Sequence, residues 1–246
     1  MYTTVNYSQN FDPKKRRLKD IKFIIFHYTG MNKEANAINK LTKQKYKVSS
    51  HYFIKSNGDI LTLVPDLYVS WHAGISSWKK YKSINKYSIG IEISNPGHDN
   101  EYKKFSKKQI NSVLKLTKFL IKKYKIKSNF ILGHSDIAPI RKKDPGEKFP
   151  WKFLARNKIG YWHDFNQNYL SKKRNIKIEK QDKFKFINNL FKIGYSKNKN
   201  TFESKYEKLI TKAFQRRFRQ ELINGIIDLE CLIISRNLAK KLNKFS

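Results

Sequence analysis

"IKFIIFHYT", residues 21–29, is the stretch on which the fold turns. It is a compact apolar run ending in polar groups; extended, it puts Phe23, Ile25 and His27 on one face. It reads as a buried central strand with a histidine at its end. Downstream, "SSHYFIKSNGDILTLVP" carries Asn57-Gly58 between two alternating segments. That dipeptide is the strongest short-range hairpin signal and predicts strands at residues 50–56 and 59–64. "YSIGIEISN" (87–95) alternates, so that Ile89, Ile91 and Ile93 share one face and Gly90, Glu92 and Ser94 the other.

"SKKQINSVLKLTKFLIKKY" opens on Ser106, a candidate N-cap. Its apolar face runs through Ile110, Val113, Leu114, Thr117, Leu120 and Ile121, with Leu116 out of register, which predicts an amphipathic helix. A short strand, "NFILG", then leads into "GHSDIAPIRKKDPG" (133–146). Pro139 and Pro145 each remove a backbone donor and fix φ, so this charged loop belongs at a surface.

After Trp162 strand signals cease, and "SKKRNIKIEKQDK" marks a linker near 164–182. Three helical patches follow, centred on Ile187, Leu190 and Phe191, on Leu209, Ala213, Phe214 and Phe218, and on Leu229, Leu232, Ile233 and Leu238. So few residues make a small core, which predicts a module of marginal stability that docking to the first domain would support.

The 246 residues are 39% hydrophobic and 14% aromatic, enough for a proper core. No apolar run approaches the roughly 18 residues of a membrane span, and the first twenty residues show no signal-peptide pattern. The expectation is a cytoplasmic protein, with the cell envelope as the other location. Cys231 is the single cysteine, which excludes an internal disulfide and any cysteine-based zinc site; its apolar setting predicts burial. Lys+Arg of 53 against Asp+Glu of 19 gives +34, a charge that attracts polyanions without naming one. Lysine mixed with Asn and Ile throughout is equally what biased nucleotide composition produces.

Six histidines are present, and two of them, His27 and His134, close predicted core strands. With Asp144 in the Pro/Gly-braced loop they make two imidazoles and a carboxylate, which leaves one position of a tetrahedral metal open for water. Hydrolysis also needs a base and a cation for the developing oxyanion. Glu92 can supply the first. Lys142 can supply the second, although spacing does not separate it from Arg141 or Lys143.

Five motifs in order, "FHYTGM" (26–31), "SSHYFI" (49–54), "SWHAG" (70–74), "IGIEISNPG" (89–97) and "GHSDIAPIRKKDPGEKFPW" (133–151), resemble the zinc-dependent N-acetylmuramoyl-L-alanine amidases of the amidase-2 type. Those enzymes are related to T7-like lysozymes and peptidoglycan recognition proteins. The resemblance covers residues 5–162. It implies one Zn²⁺ per chain on His27, His134 and Asp144, with Glu92 activating the water and Lys142 as the transition-state cation. It also implies that Tyr28, Thr29, Trp71 and His72 line the substrate cleft. For His51 a packing role, or one orienting a ligand, is expected.

The tail "KLITKAFQRRFRQELINGIIDLECLIISRNL" resembles the three-helix peptidoglycan-binding module often appended to such amidases, though it is unusually basic and apolar. The expected fold is α/β: a central mixed β-sheet flanked by helices, with the site along one sheet edge, followed by a small three-helix domain. The expected domains are 1–165 and 180–246, and the expected substrate is peptidoglycan or a muropeptide, with no specific nucleic acid. A non-catalytic peptidoglycan sensor would lack a ligand or the base, and this chain has all five groups. A nucleic-acid-binding protein would account for the charge, but the tail shows no base-reading motif. The sequence carries no signal for an oligomeric state.

Overall fold

The computed structural model describes residues 3–197 and 204–243; the outer ends of both expected domains, and residues 198–203 of the second, lie outside that range. In chain order the strands are β1 (Thr4–Val5), β2 (Phe11–Asp12), β3 (Phe23–Tyr28), β4 (Tyr52–Ile54) and β5 (Ile60–Thr62). They continue as β6 (Val69–Ser70), β7 (Ser77–Trp78), β8 (Tyr81–Lys82), β9 (Ser88–Ile93) and β10 (Ile131–Gly133). The helices are α1 (Glu34–Thr42), α2 (Lys107–Tyr124), α3 (His134–Ile137), α4 (Trp151–Arg156), α5 (Gln167–Ser171), α6 (Lys180–Ile193), α7 (Ser204–Phe218) and α8 (Leu229–Asn243).

Six strands form the main sheet in the order β1-β5-β4-β9-β3-β10. Only the β4–β5 hairpin is antiparallel; β1–β5, β4–β9, β9–β3 and β3–β10 are parallel. The sheet is therefore mixed, with β3 interior as its apolar run predicts. At the hairpin turn Gly58 has φ +92°, and an added Cβ would stand 2.9 Å from the Lys108 carbonyl oxygen, so the Asn-Gly turn also lets α2 approach.

Both faces of β3 are buried, which is why its sequence is nearly continuous in apolar residues. Ile24 and Phe26, with Ile89, Ile91, Ile93 and Ile131, pack with Val113, Leu116 and Leu120 of α2. Phe23 and Ile25 join Leu132 and Ile137 in a second cluster that extends to Phe186, Leu190, Phe214, Cys231 and Leu238 of the C-terminal helices. The helical unit thus shares a hydrophobic cluster with one face of the sheet. Burial pushes the Cys231 thiol up to about 12, so it is an inert apolar group.

Helix α2 begins at a capping box: Ser106 Oγ accepts from Gln109 N at 3.2 Å, and Gln109 Oε1 accepts from Ser106 N at 3.0 Å. Its buried stripe is Gln109, Val113, Leu116, Thr117 and Leu120. Leu116 therefore lies in the stripe, correcting the register read from sequence; Ile110, Leu114 and Ile121 flank it, partly buried. The expected linker contains α5, which buries Leu170. Among the described residues no helix is long and apolar enough to cross a membrane.

Candidate active site

Three adjacent parallel strands deliver side chains at the same end of the sheet. His27 lies near the end of β3 and pairs in register with Glu92 of β9, so both project from one face. His134 follows directly on β10, whose last residue, Gly133, pairs with Phe26. Ligands in open α/β sheets gather at these carboxyl ends. The site occupies the strand ends on the β10 side and is not strung along the edge strand. Asp144 returns through the loop, where Ser135 N donates to the Asp144 carbonyl at 2.8 Å and Arg141 N and Lys142 N donate to Ala138 O.

The facing atoms of His27, His134 and Asp144 form a nearly equilateral triangle. His27 Nδ1 is 3.0 Å from His134 Nδ1 and 3.0 Å from Asp144 Oδ2, and His134 Nδ1 is 3.1 Å from Asp144 Oδ2. All three residues are buried.

The hydrogen bonds behind the triangle decide where the imidazole protons are. Ser88 Oγ lies 2.8 Å from Ile84 O, a pure acceptor, so the serine proton is spent there. His72 Nε2, 2.9 Å from Ser88 Oγ, must then donate, which leaves His72 Nδ1 as an acceptor. His27 Nε2, 2.9 Å away, donates to it. His134 Nε2 donates to Ala73 O at 3.1 Å. Both facing Nδ1 atoms are consequently bare, and with the carboxylate they turn three lone pairs on one point. Uncompensated, that arrangement is repulsive. The triangle fits a cation: tetrahedral zinc with ligands at 2.0–2.1 Å has edges of roughly 3.3 Å.

Electrostatics agree. Burial, reinforced by His134, pushes the His27 imidazole down to about 4, so it stays neutral and able to ligate. Glu92 is raised well above the carboxylate range by burial and then by the Asp144 charge. Its Oε2 is buried with no hydrogen-bond partner among the described residues. A carboxyl so placed, lining the same cleft, is poised to exchange a proton.

The cleft holds about 370 Å³ and is lined by Tyr28, Thr29, Lys40, His72, Glu92 and Lys142 around the triangle. The three cations of the loop, alike in sequence, separate here. Arg141 Nη2 donates to Ala73 O at 2.9 Å and Ile75 O at 2.6 Å, and Lys143 pairs with Asp99 at 3.2 Å. The Lys142 ammonium has no hydrogen bond or ion pair among the described residues, and the residue lines the cleft.

The family model of the N-acetylmuramoyl-L-alanine amidases, Amidase_2, matches residues 17–147, a span that holds the whole triangle. The chain belongs to this amidase family. It is 34% identical over 233 residues to the N-acetylmuramoyl-L-alanine amidase AmiD of Escherichia coli K12, covering 90% of this chain and 83% of the relative. The structure of E. coli AmiD with anhydro-N-acetylmuramic acid-L-Ala-D-γ-Glu-L-Lys superposes with a TM-score of 0.82 at 31% identity, over 94% of this chain and 93% of that one. AmpDh3 of Pseudomonas aeruginosa with anhydromuramic pentapeptide gives a TM-score of 0.80 at 30% identity, over 94% of each chain.

Within this amidase the residues expected in the substrate cleft divide. Tyr28 and Thr29 line it; the Thr29 hydroxyl donates to Asn95 O at 3.0 Å. His72 borders the cleft, but both its nitrogens are engaged, one with His27 and one with Ser88, so it fixes the His27 ring. Trp71 is not brought to the cleft. It is absent from the cleft lining, and its indole Nε1 donates to Asp12 Oδ1 at 2.8 Å. His51 lies deeper: its Nδ1 accepts from Gly90 N at 3.0 Å and its ring packs 5.9 Å from that of His72.

Sequence reasoning missed a relay on the cleft wall. Tyr28 O–H donates to His98 Nδ1 at 2.9 Å, and His98 Nε2 donates to Glu147 Oε2 at 3.0 Å. It also missed the partner of Asp136, which is the buried Arg217 of α7. Separations of 49 to 81 residues leave no local pattern to read.

Proposed function

We propose that His27, His134 and Asp144 hold one Zn²⁺ and that the enzyme uses it to hydrolyse the amide between the lactyl group of N-acetylmuramic acid and L-alanine. The observation that carries this reading is the triangle of bare acceptor atoms, 3.0 to 3.1 Å apart. A Zn²⁺ held by these three residues would supply Lewis-acid polarisation of the scissile carbonyl and an acidified water.

Glu92 takes the proton of the attacking water and returns it to the departing amine. Its orphaned, buried Oε2 is the acceptor for that proton. Lys142, the loop cation without a partner among the described residues, stabilises the oxyanion of the tetrahedral intermediate. His72 fixes the His27 tautomer, and the Ala73 carbonyl fixes that of His134. No covalent enzyme intermediate is required.

The two ligand-bound relatives hold anhydromuramyl peptides, which favours soluble muropeptides of that kind as substrates here. The test is incubation of the protein with anhydromuramyl peptide and with intact peptidoglycan, with and without chelator. Release of free peptide that chelator stops and zinc restores is expected. Binding without release would make the protein a sensor; release indifferent to chelator would remove the metal.

A further inference from the structure

The end of α7 grips the loop that carries two of the three ligands. Arg217 is 1% exposed; its Nη1 donates to Asp136 Oδ2 and its Nη2 donates to Ile131 O at 2.9 Å. Its guanidinium lies 4.4 Å from the Trp151 ring centroid, 4.8 Å from that of Tyr161 and 5.0 Å from that of Phe218. Asp136, two residues after His134, also accepts from Gly133 N and Tyr195 O–H, each at 2.8 Å. Just past the helix, Gln220 Nε2 donates to Glu147 O and Phe149 O, both at 2.7 Å. The loop is thus fastened just after His134 and just after Asp144, and both fastenings come from residues 217–220.

Core packing alone does not ask for this chemistry. Replacing a buried ion pair by apolar groups is often neutral, so a mere contact between helix and loop needs neither a stacked arginine nor a bridging amide. Arginine's planar fork can serve Asp136 and Ile131 O together while stacked between rings, which a lysine cannot do. The second fastening continues to the cleft, because Glu147 accepts from His98, which accepts from Tyr28.

We propose that Arg217 and Gln220 are positioning residues of the metal loop: they set His134 and Asp144 at their mutual spacing, so the C-terminal helical unit tunes metal affinity. This rests on the metal reading of the triangle. Ligand-supporting partners typically change metal affinity 10- to 100-fold, and each of these residues is expected near the lower end, about tenfold.

The test uses the full chain and three variants. Gln220→Ala removes the partly exposed amide, Arg217→Lys keeps the charge without the fork, and Leu238→Ala carves a cavity in α8 as a control. Zn²⁺ affinity is measured by competition with a chromophoric chelator, and melting is followed on metal-free protein. The expected result is about tenfold weaker zinc binding in Gln220→Ala and Arg217→Lys, with wild-type affinity retained by Leu238→Ala despite a lower melting temperature. Unchanged affinity in the first two, or a loss that follows melting temperature across all three, overturns the proposal. Wild-type protein that binds no zinc removes the metal reading and this proposal together, whereas wild-type binding with unaltered variants removes this proposal alone.

Discussion

His72 has no nitrogen left for substrate: Nδ1 takes the His27 proton at 2.9 Å and Nε2 gives its own to Ser88 at 2.9 Å. His72→Ala frees His27 to adopt the wrong tautomer, and zinc affinity should fall about 10- to 100-fold; titration against a chelator measures this, and wild-type affinity would show that His27 needs no such partner. Asp144→Ala removes the only carboxylate of the triangle. That variant should purify without stoichiometric zinc and without amidase activity. Glu92→Gln keeps all three proposed ligands and removes the proposed proton acceptor, so metal content should be unchanged while kcat drops about 10²- to 10⁴-fold. A small drop in kcat would assign the proton to another group. The positions of His27, His134 and Glu92 at one end of the sheet were legible in sequence because strand ends and strict alternation fix where a side chain projects. The place of Lys142 was not legible, since what distinguishes it is what Arg141 and Lys143 bind in space.

Strand β9 shows how an element serves a site it only partly forms. Ser88 anchors His72 and Glu92 lines the cleft, while Gly90 between them leaves room for the His72 ring. A Cβ at Gly90 would stand 2.5 Å from His72 Cγ and 2.6 Å from Cδ2. Gly90→Ala should therefore displace His72 and lower zinc affinity as His72→Ala does, although residue 90 binds no metal; a variant of unaltered affinity would contradict the support that His72 gives His27. The elements that sequence revealed, β3, the β4–β5 hairpin, β9 and α2, each carry a long pattern or a specific turn or cap. The two-residue strands β1, β2, β6, β7 and β8 are too short to carry any period, and α1 shows only Ala37 and Leu41 buried. Trp71 was expected in the cleft; its indole instead bonds Asp12, 59 residues away, a partner that no local pattern announces.

Across the molecule, four imidazoles are held neutral by burial. His27 is pushed down to about 4, His51 to about 3 and His163 to about 4, and His72 lies well below its ordinary value. The unfolded chain takes up protons near pH 6.5 while the folded chain refuses them until far lower. Their stabilising contribution is thus complete above pH 6.5 and is lost as pH falls toward 4, at up to about 1.4 kcal/mol per pH unit for each histidine. The melting temperature of the metal-free protein should be nearly level above pH 7 and fall steeply between pH 6.5 and 4; a level profile through that window would contradict the burial argument. The attachment of the C-terminal helices through Arg217 and Asp136 joins residues 81 apart, a pairing no local pattern announces. The account as a whole stands on the metal triangle. Its most direct test is a crystal grown with zinc and measured at the zinc absorption edge. A single anomalous peak about 2.0–2.2 Å from His27 Nδ1, His134 Nδ1 and an Asp144 carboxylate oxygen is the expected result. No peak there, or coordination through the Nε2 atoms, would contradict it.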